Sequence, residues 1–269
     1  MSMAMKRTVE ATPIVFVGAD NLATHLAKAL HAAGFPIRQV YSRTEESART
    51  LAEAVDADYT TNLKEIQKYA LLYIVSLKDD AFLQLLPQIV ASREDALWVH
   101  TAGSIPMSIW QGHGVERYGV FYPMQTFSKV REVNFKEIPI FIESNKSEDV
   151  QLLREIAIRI SPKVYEADSE QRKSLHLAAV FTSNFTNHMY ALADKLLQKY
   201  NLPFETMLPL IDETAMKVHE LSPAEAQTGP AIRQDTGVME SHLQMLADEP
   251  QMQALYRSIS ESIYKLKNS

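Results

Sequence analysis

The residues whose types and spacing suit them to chemistry gather most densely between Lys173 and Asn187. Residues 174–193 contain no Asp, Glu, Lys or Arg, yet they include His176, Ser183, Asn184 and Asn187. On an ideal helix advancing about 100° per residue, Lys173, His176, Ser183, Asn184 and Asn187 share one face, with Phe181, Phe185 and Leu192 across from them. A solvated helix face normally carries Lys and Glu. An uncharged stripe of amides, hydroxyls and imidazole instead suits a ligand-lined cleft between domains, or a domain or dimer contact where buried polar groups satisfy one another. Imidazole titrates near neutral pH, so His176 is the candidate proton donor, with Asn184 and Asn187 placed to hold a carbonyl or carboxylate and Ser183 beside them. His188 falls about 120° from His176 around the helix, so the two do not pair and no metal site is indicated.

Three other segments supply groups of the same kind. In the loop TGPAIRQD at 228–235, Arg233 can clamp a carboxylate bidentately, while Asp235 reads as an ordinary helix cap. HTAGS at 100–104 follows a strand and offers Thr101 and Gly103, and Ser76 with Leu77 holds the equivalent place one strand earlier. In open α/β sheets ligands bind outside the carboxyl ends of strands, which makes these four candidate ligand contacts.

The turn that would hold a dinucleotide lies near the start. GADNLA at 18–23 follows the apolar run IVFV and precedes a helical run, the order of a glycine-rich pyrophosphate turn. Gly18, Ala19, Asp20, Asn21 and Leu22 are its candidate cofactor contacts. Gly18 fills the first glycine position and Ala23 is an accepted third, but Asp20 replaces the glycine that lets the backbone approach the phosphates. Asp20 as an N-cap would engage amides that a phosphate needs. Ser42, Arg43 and Thr44 end the second strand, with no acid until Glu45. An arginine there suits a 2′-phosphate, where an acid would bind a 2′-hydroxyl, so NADP is favoured over NAD.

These residues need an alternating scaffold to position them. Short runs rich in β-branched or aromatic residues at 14–18, 37–42, 71–76, 97–101, 118–122, 138–143 and 163–166 predict strands, with helices at 21–33, 45–54, 80–91 and 147–160. That alternation predicts an α/β, Rossmann-type, mainly parallel sheet with helices on both faces. After Asp168 the pattern is helical throughout, giving a Rossmann-type domain over 1–167 and an all-α domain over 168–269 for dimerisation and substrate binding. The apolar stripes of that helical part predict a homodimer.

Composition narrows the classes. A chain of 269 residues with 46% hydrophobic and 22% charged residues is ordinary globular protein. The formal charge of −6, with no Lys/Arg cluster, argues against nucleic acid. Cysteine is absent, which excludes disulfides and thiolate sites. The uncharged stretch 174–193 is long enough to cross a bilayer, but its amides and histidines argue for a buried helix. Residues 1–7 show no apolar core or cleavage site of a secretory signal, so the cytoplasm is the expected location.

Taken together, GADNLA at 18–23, VYSRT at 40–44, HTAGS at 100–104, GVFYPMQTFS at 119–128, LHLAAVFTSNFTNH at 175–188 and TGPAIRQD at 228–235 resemble a family of bacterial two-domain NADP oxidoreductases. Their helical domain is similar to the dimerising domain of 6-phosphogluconate dehydrogenase and pyrroline-5-carboxylate reductase. The resemblance implies fold, dimerisation and NADP use, and names no substrate. It also puts His176, Asn184 and Asn187 where related hydride-transfer enzymes carry a catalytic Lys or Asn, although the side chains differ. The expected activity is hydride transfer between NADP and a small polar keto acid or imine. The alternative is a non-catalytic binding or regulatory protein whose dinucleotide affinity Asp20 has weakened.

Overall fold

The computed structural model describes residues 11–91 and 95–267, and divides into two compact units, Met1–Ser183 and Asn184–Ser269. The amino-terminal segment read as lacking a secretory signal lies outside the described residues.

The first unit alternates as the pattern of apolar runs dictates. In chain order it comprises β1 (Ile14–Val17), α1 (Asn21–Ala32), β2 (Ile37–Tyr41), α2 (Glu45–Glu53), β3 (Asp58–Thr60), β4 (Leu72–Val75), α3 (Asp79–Val90) and β5 (Leu97–His100). It continues with β6 (Arg117–Pro123), β7 (Ile140–Ser144), α4 (Ser147–Ile160), β8 (Val164–Glu166) and α5 (Ser169–Ala179). The eight strands form one sheet in the order β3-β2-β1-β4-β5-β6-β7-β8, parallel except where β7 runs against β6. β1, β4 and β5 are buried along their whole length, as expected of central parallel strands covered on both faces. Leu26 and Leu30 of α1, Leu51 of α2 and Leu153 and Ile156 of α4 pack with Ile14 and Phe16 on one face. Phe82 and Leu86 of α3 join Val15, Tyr73, Trp98 and Trp110 on the other.

From β1 the chain moves outward to β2 and β3, then returns to place β4 on the opposite side of β1. This reversal is a topological switch point, where the carboxyl ends of neighbouring strands leave a crevice for ligands. β3 was not expected from the sequence. It is three residues long, Asp58, Tyr59 and Thr60, and pairs only with β2 at the sheet margin, so it carries no apolar run to betray it.

The second unit is helical, with α6 (Thr186–Gln198), α7 (Leu208–Lys217), α8 (Pro223–Ala226), α9 (Pro230–Arg233), α10 (Thr236–Met245) and α11 (Pro250–Lys267). Its buried apolar side chains among the described residues are Ala231, Leu243, Leu246 and Met252. Neither α6 nor α7 buries a residue fully. No described helix is long and apolar enough to cross a membrane.

Residues Val180–Phe185, between α5 and α6, form a π-helix. The ideal α-geometry expected across this segment from the sequence is not what forms. Hydrogen bonding from i to i+5 widens the turn, so the angular offsets of Ser183, Asn184 and Asn187 from His176 differ from those of an ideal α-helix. Nothing in the sequence marks the widening, because the segment has neither Gly nor Pro.

Candidate functional site

Gly18 follows β1 at φ +122°, and a Cβ added to it would lie 1.9 Å from the carbonyl oxygen of Ser76. Both the positive φ and this close approach demand glycine, because the β1–α1 turn is pressed against the end of β4. Ala19 is buried, while Asp20 and Asn21 are exposed and Leu22 and Leu77 are half-buried. Asp20 is the N-cap of α1 and accepts the Ala23 N–H at 2.7 Å. Its carboxylate also accepts the Ser76 hydroxyl at 2.9 Å, and Ser76 in turn accepts the Thr101 hydroxyl at 3.0 Å.

A relay Thr101–Ser76–Asp20 thus runs along the carboxyl ends of β5, β4 and β1. Ser76 and Thr101 are buried, and their hydroxyl protons are engaged within the protein. The Asn21 side chain donates to the Phe127 carbonyl at 2.9 Å, tying the loop after β6 to the start of α1.

One strand further out, Ser42 is half-buried and Arg43 and Thr44 are exposed at the end of β2. Thr44 is the N-cap of α2 but makes no side-chain cap bond. No carboxylate pairs with the Arg43 guanidinium among the described residues, so a bidentate phosphate partner is not displaced by an existing one.

The residues present fit a dinucleotide in part. At the end of β2, Arg43, with no carboxylate partner among the described residues, is flanked by two hydroxyls, a set whose chemistry suits a 2′-phosphate. At the pyrophosphate end the first two amides of α1, Asn21 and Leu22, carry the N–H groups that a helix leaves without internal partners. The third, Ala23, is taken by Asp20, whose negative charge opposes a phosphate.

His176 lies on α5, beside the segment that follows β5. Its half-buried ring lies against Gly103, where an added Cβ would come within 2.7 Å of its Nδ1 and 2.9 Å of Tyr122 Cζ. The Tyr122 hydroxyl and His176 Nδ1 are 3.3 Å apart, with the rings edge to face. His176 and Gly103 are therefore neighbours, while the Thr101 hydroxyl is turned into the relay. Ser183 is half-buried in the π-helix. Asn184 and Asn187 belong to the second unit and are exposed. Arg233, also in the second unit, is exposed at the end of α9 with no ion pair among the described residues. Asp235 caps α10 through the Val238 N–H, as its position before a helix led one to expect.

The sequence reading missed the group that holds α5. Arg172, one turn before His176, is 1% exposed and forms an ion pair with Glu143 of β7. Its Nη2 donates to the Ile105 carbonyl at 2.6 Å, and Ser169 donates to the same Glu143 carboxylate while accepting the Met107 N–H. Asp168 caps α5 in a reciprocal box with Gln171. Nearby, burial pushes the Tyr122 phenol up, opposed by the Arg172 charge. Burial, with Arg172 assisting, pushes His100 down to about 3, so its imidazole is neutral at physiological pH.

With this geometry in view, similarity to known proteins is informative. Residues 13–102 match the family model described as NADP oxidoreductase coenzyme F420-dependent, and residues 138–263 match a domain of unknown function. A crystal structure of a Bacteroides fragilis protein described as a "putative NADP oxidoreductase" is 68% identical, with TM-score 0.92, over 96% of this chain and 100% of that one. The chain belongs to this NADP oxidoreductase family. Within the same architecture, a Thermotoga maritima protein is 23% identical, with TM-score 0.77, over 95% of this chain and 100% of that one. An imine reductase from Myxococcus stipitatus, solved with NADP+, is 16% identical, with TM-score 0.65, over 95% of this chain and 93% of that one. At such identities the last two likenesses establish fold alone. No curated protein matches the chain significantly.

Proposed function

We propose that this protein is an NADP-linked oxidoreductase that transfers a hydride to or from a small polar substrate of the keto-acid or imine class. The observation that carries the reading is the unpaired Arg43 at the end of β2, on a sheet whose switch point carries Gly18 and the N-terminus of α1. Arg43, with Ser42 and Thr44, would hold the 2′-phosphate, and Gly18, Ala19, Asn21 and Leu22 the pyrophosphate. Bound there, NADP supplies the hydride acceptor or donor. His176 would supply a hydrogen to the substrate heteroatom, and Asn184, Asn187 and Arg233 would hold the substrate's polar groups. Support for the last three is their uncharged or unpaired polar character. The protein acts as a homodimer in the cytoplasm on this reading.

A second reading, a binding or regulatory protein without turnover, has one observation in its favour. Asp20 places a carboxylate on the helix amides where pyrophosphate would sit, and at about 4 Å two like charges repel by roughly 1 kcal/mol in water and more in a partly dry crevice.

The readings separate on turnover. NADPH consumption followed by absorbance with a panel of 2-keto acids and cyclic imines should reveal a substrate, and His176→Gln should slow it by about 10²-fold. Tight NADPH binding with no consumption across the panel would favour the non-catalytic alternative.

A further inference from the structure

The pairing of Tyr122 with His176 goes beyond the reading of His176 alone, and rests on that reading for its functional meaning. Tyr122 comes from β6 and is buried, and among the described residues its hydroxyl has no hydrogen-bond partner except His176 Nδ1. A phenol is both donor and acceptor, so two arrangements are available. If Nδ1 carried the hydrogen and the phenol accepted it, the phenol's own proton would be left in a buried site without an acceptor. A buried donor left without an acceptor is strongly disfavoured. If the phenol donates to a bare Nδ1, no proton is stranded in the buried phenol site, and the hydrogen of the neutral imidazole resides on Nε2 of the half-buried ring.

Nε2 lies across the ring from the edge that Gly103 and Tyr122 cover, and it has no hydrogen-bond partner among the described residues. Three independent elements impose the arrangement. The Arg172–Glu143 pair fixes α5 one turn earlier, Tyr122 arrives from β6, and Gly103 leaves the space that a methyl group would fill.

We infer that Tyr122 is a positioning residue that fixes His176 as the Nε2–H tautomer, so that the group offered to a ligand is a neutral N–H donor. The ligand atom it recognises is then a hydrogen-bond acceptor with a free lone pair, a carbonyl oxygen or a neutral imine nitrogen. A cationic iminium or ammonium nitrogen has no lone pair to offer and is excluded from that position. Burial keeps the Tyr122 phenol protonated, as donation requires.

The test is a nitrogen–proton correlation spectrum of the full-length protein labelled with ¹⁵N-histidine, at about pH 8 where an ordinary imidazole is neutral. The His176 signals are identified by their loss in His176→Gln. The unmodified protein should show Nε2 protonated, with the Nδ1 resonance displaced from that of a free acceptor nitrogen. Tyr122→Phe should abolish that displacement and admit the Nδ1–H form. Gly103→Ala keeps the phenol but wedges the rings apart, and should abolish it too. A protonated Nδ1 in the unmodified protein, or an Nδ1 resonance that both variants leave unchanged, would overturn the inference. Because the spectra need no turnover, they decide the Tyr122 pairing independently of whether His176 takes part in reduction.

Discussion

A single carboxylate at the β1–α1 turn serves two structural ends, capping α1 through Ala23 and accepting the Ser76 hydroxyl. Asp20 was legible as a cap and as an obstacle to phosphate, because both follow from its place before a helix. Its link through Ser76 to Thr101 was not, since that depends on three strand ends meeting in space. The two roles predict opposite effects of removal. In Asp20→Gly the cap costs only a few tenths of a kcal/mol, because glycine is itself tolerated at N-caps. Loss of the charge frees the Ala23 amide, and NADPH should bind about tenfold more tightly, equivalent to ~1.4 kcal/mol. Calorimetric titration of the variant checks this, and unchanged or weaker binding would mean that phosphate avoids the carboxylate. Tyr122 illustrates the opposite limit of legibility. Within the apolar run GVFYP nothing distinguishes it from a core aromatic, and only the fold brings it to a histidine 54 residues away.

Among the elements, the strands of the central sheet were readable because buried parallel strands demand continuous apolar, β-branched runs. β3 was too short and polar to read, while β7 was read as a strand over 138–143 but not in its antiparallel direction, which residue type does not encode. α5 is the element on which the site depends most. Its first two turns are held by the Asp168–Gln171 box and by Arg172 buried against Glu143, and His176 follows one turn later. A lone arginine in a helical run reads as a surface residue, so its burial was invisible until β7 supplied the partner. Breaking a buried ion pair by removing one member strands the other charge, at about 3–5 kcal/mol. Arg172→Met should therefore lower the urea unfolding midpoint by that equivalent. The double replacement of Arg172 and Glu143 by apolar residues should recover much of the loss, and an additive double variant would show that the two are not coupled.

At the scale of the whole molecule, the helical unit leaves large apolar side chains exposed. Leu210 and Met216 are 62% and 57% exposed, and Leu177 and Phe181 on the preceding helical segment are 59% and 61% exposed. A groove of about 330 Å³ lined by Met189, Leu192, Leu196, Leu255 and Ile259 adds apolar surface in the second unit. Exposed apolar side chains of this kind are the expected material of an association surface, and a second copy is the partner that closed symmetry favours. Light scattering at micromolar concentration should give twice the chain mass, and a monomer mass across that range would refute it. Paired titrations of the unmodified protein with NADPH and NADH test the use of NADP most directly. An Arg–phosphate pair contributes on the order of 1.5–3 kcal/mol, so NADPH should bind at least tenfold more tightly, and Arg43→Ala should erase the difference. Equal affinity for the two cofactors, or binding of neither, would contradict the account.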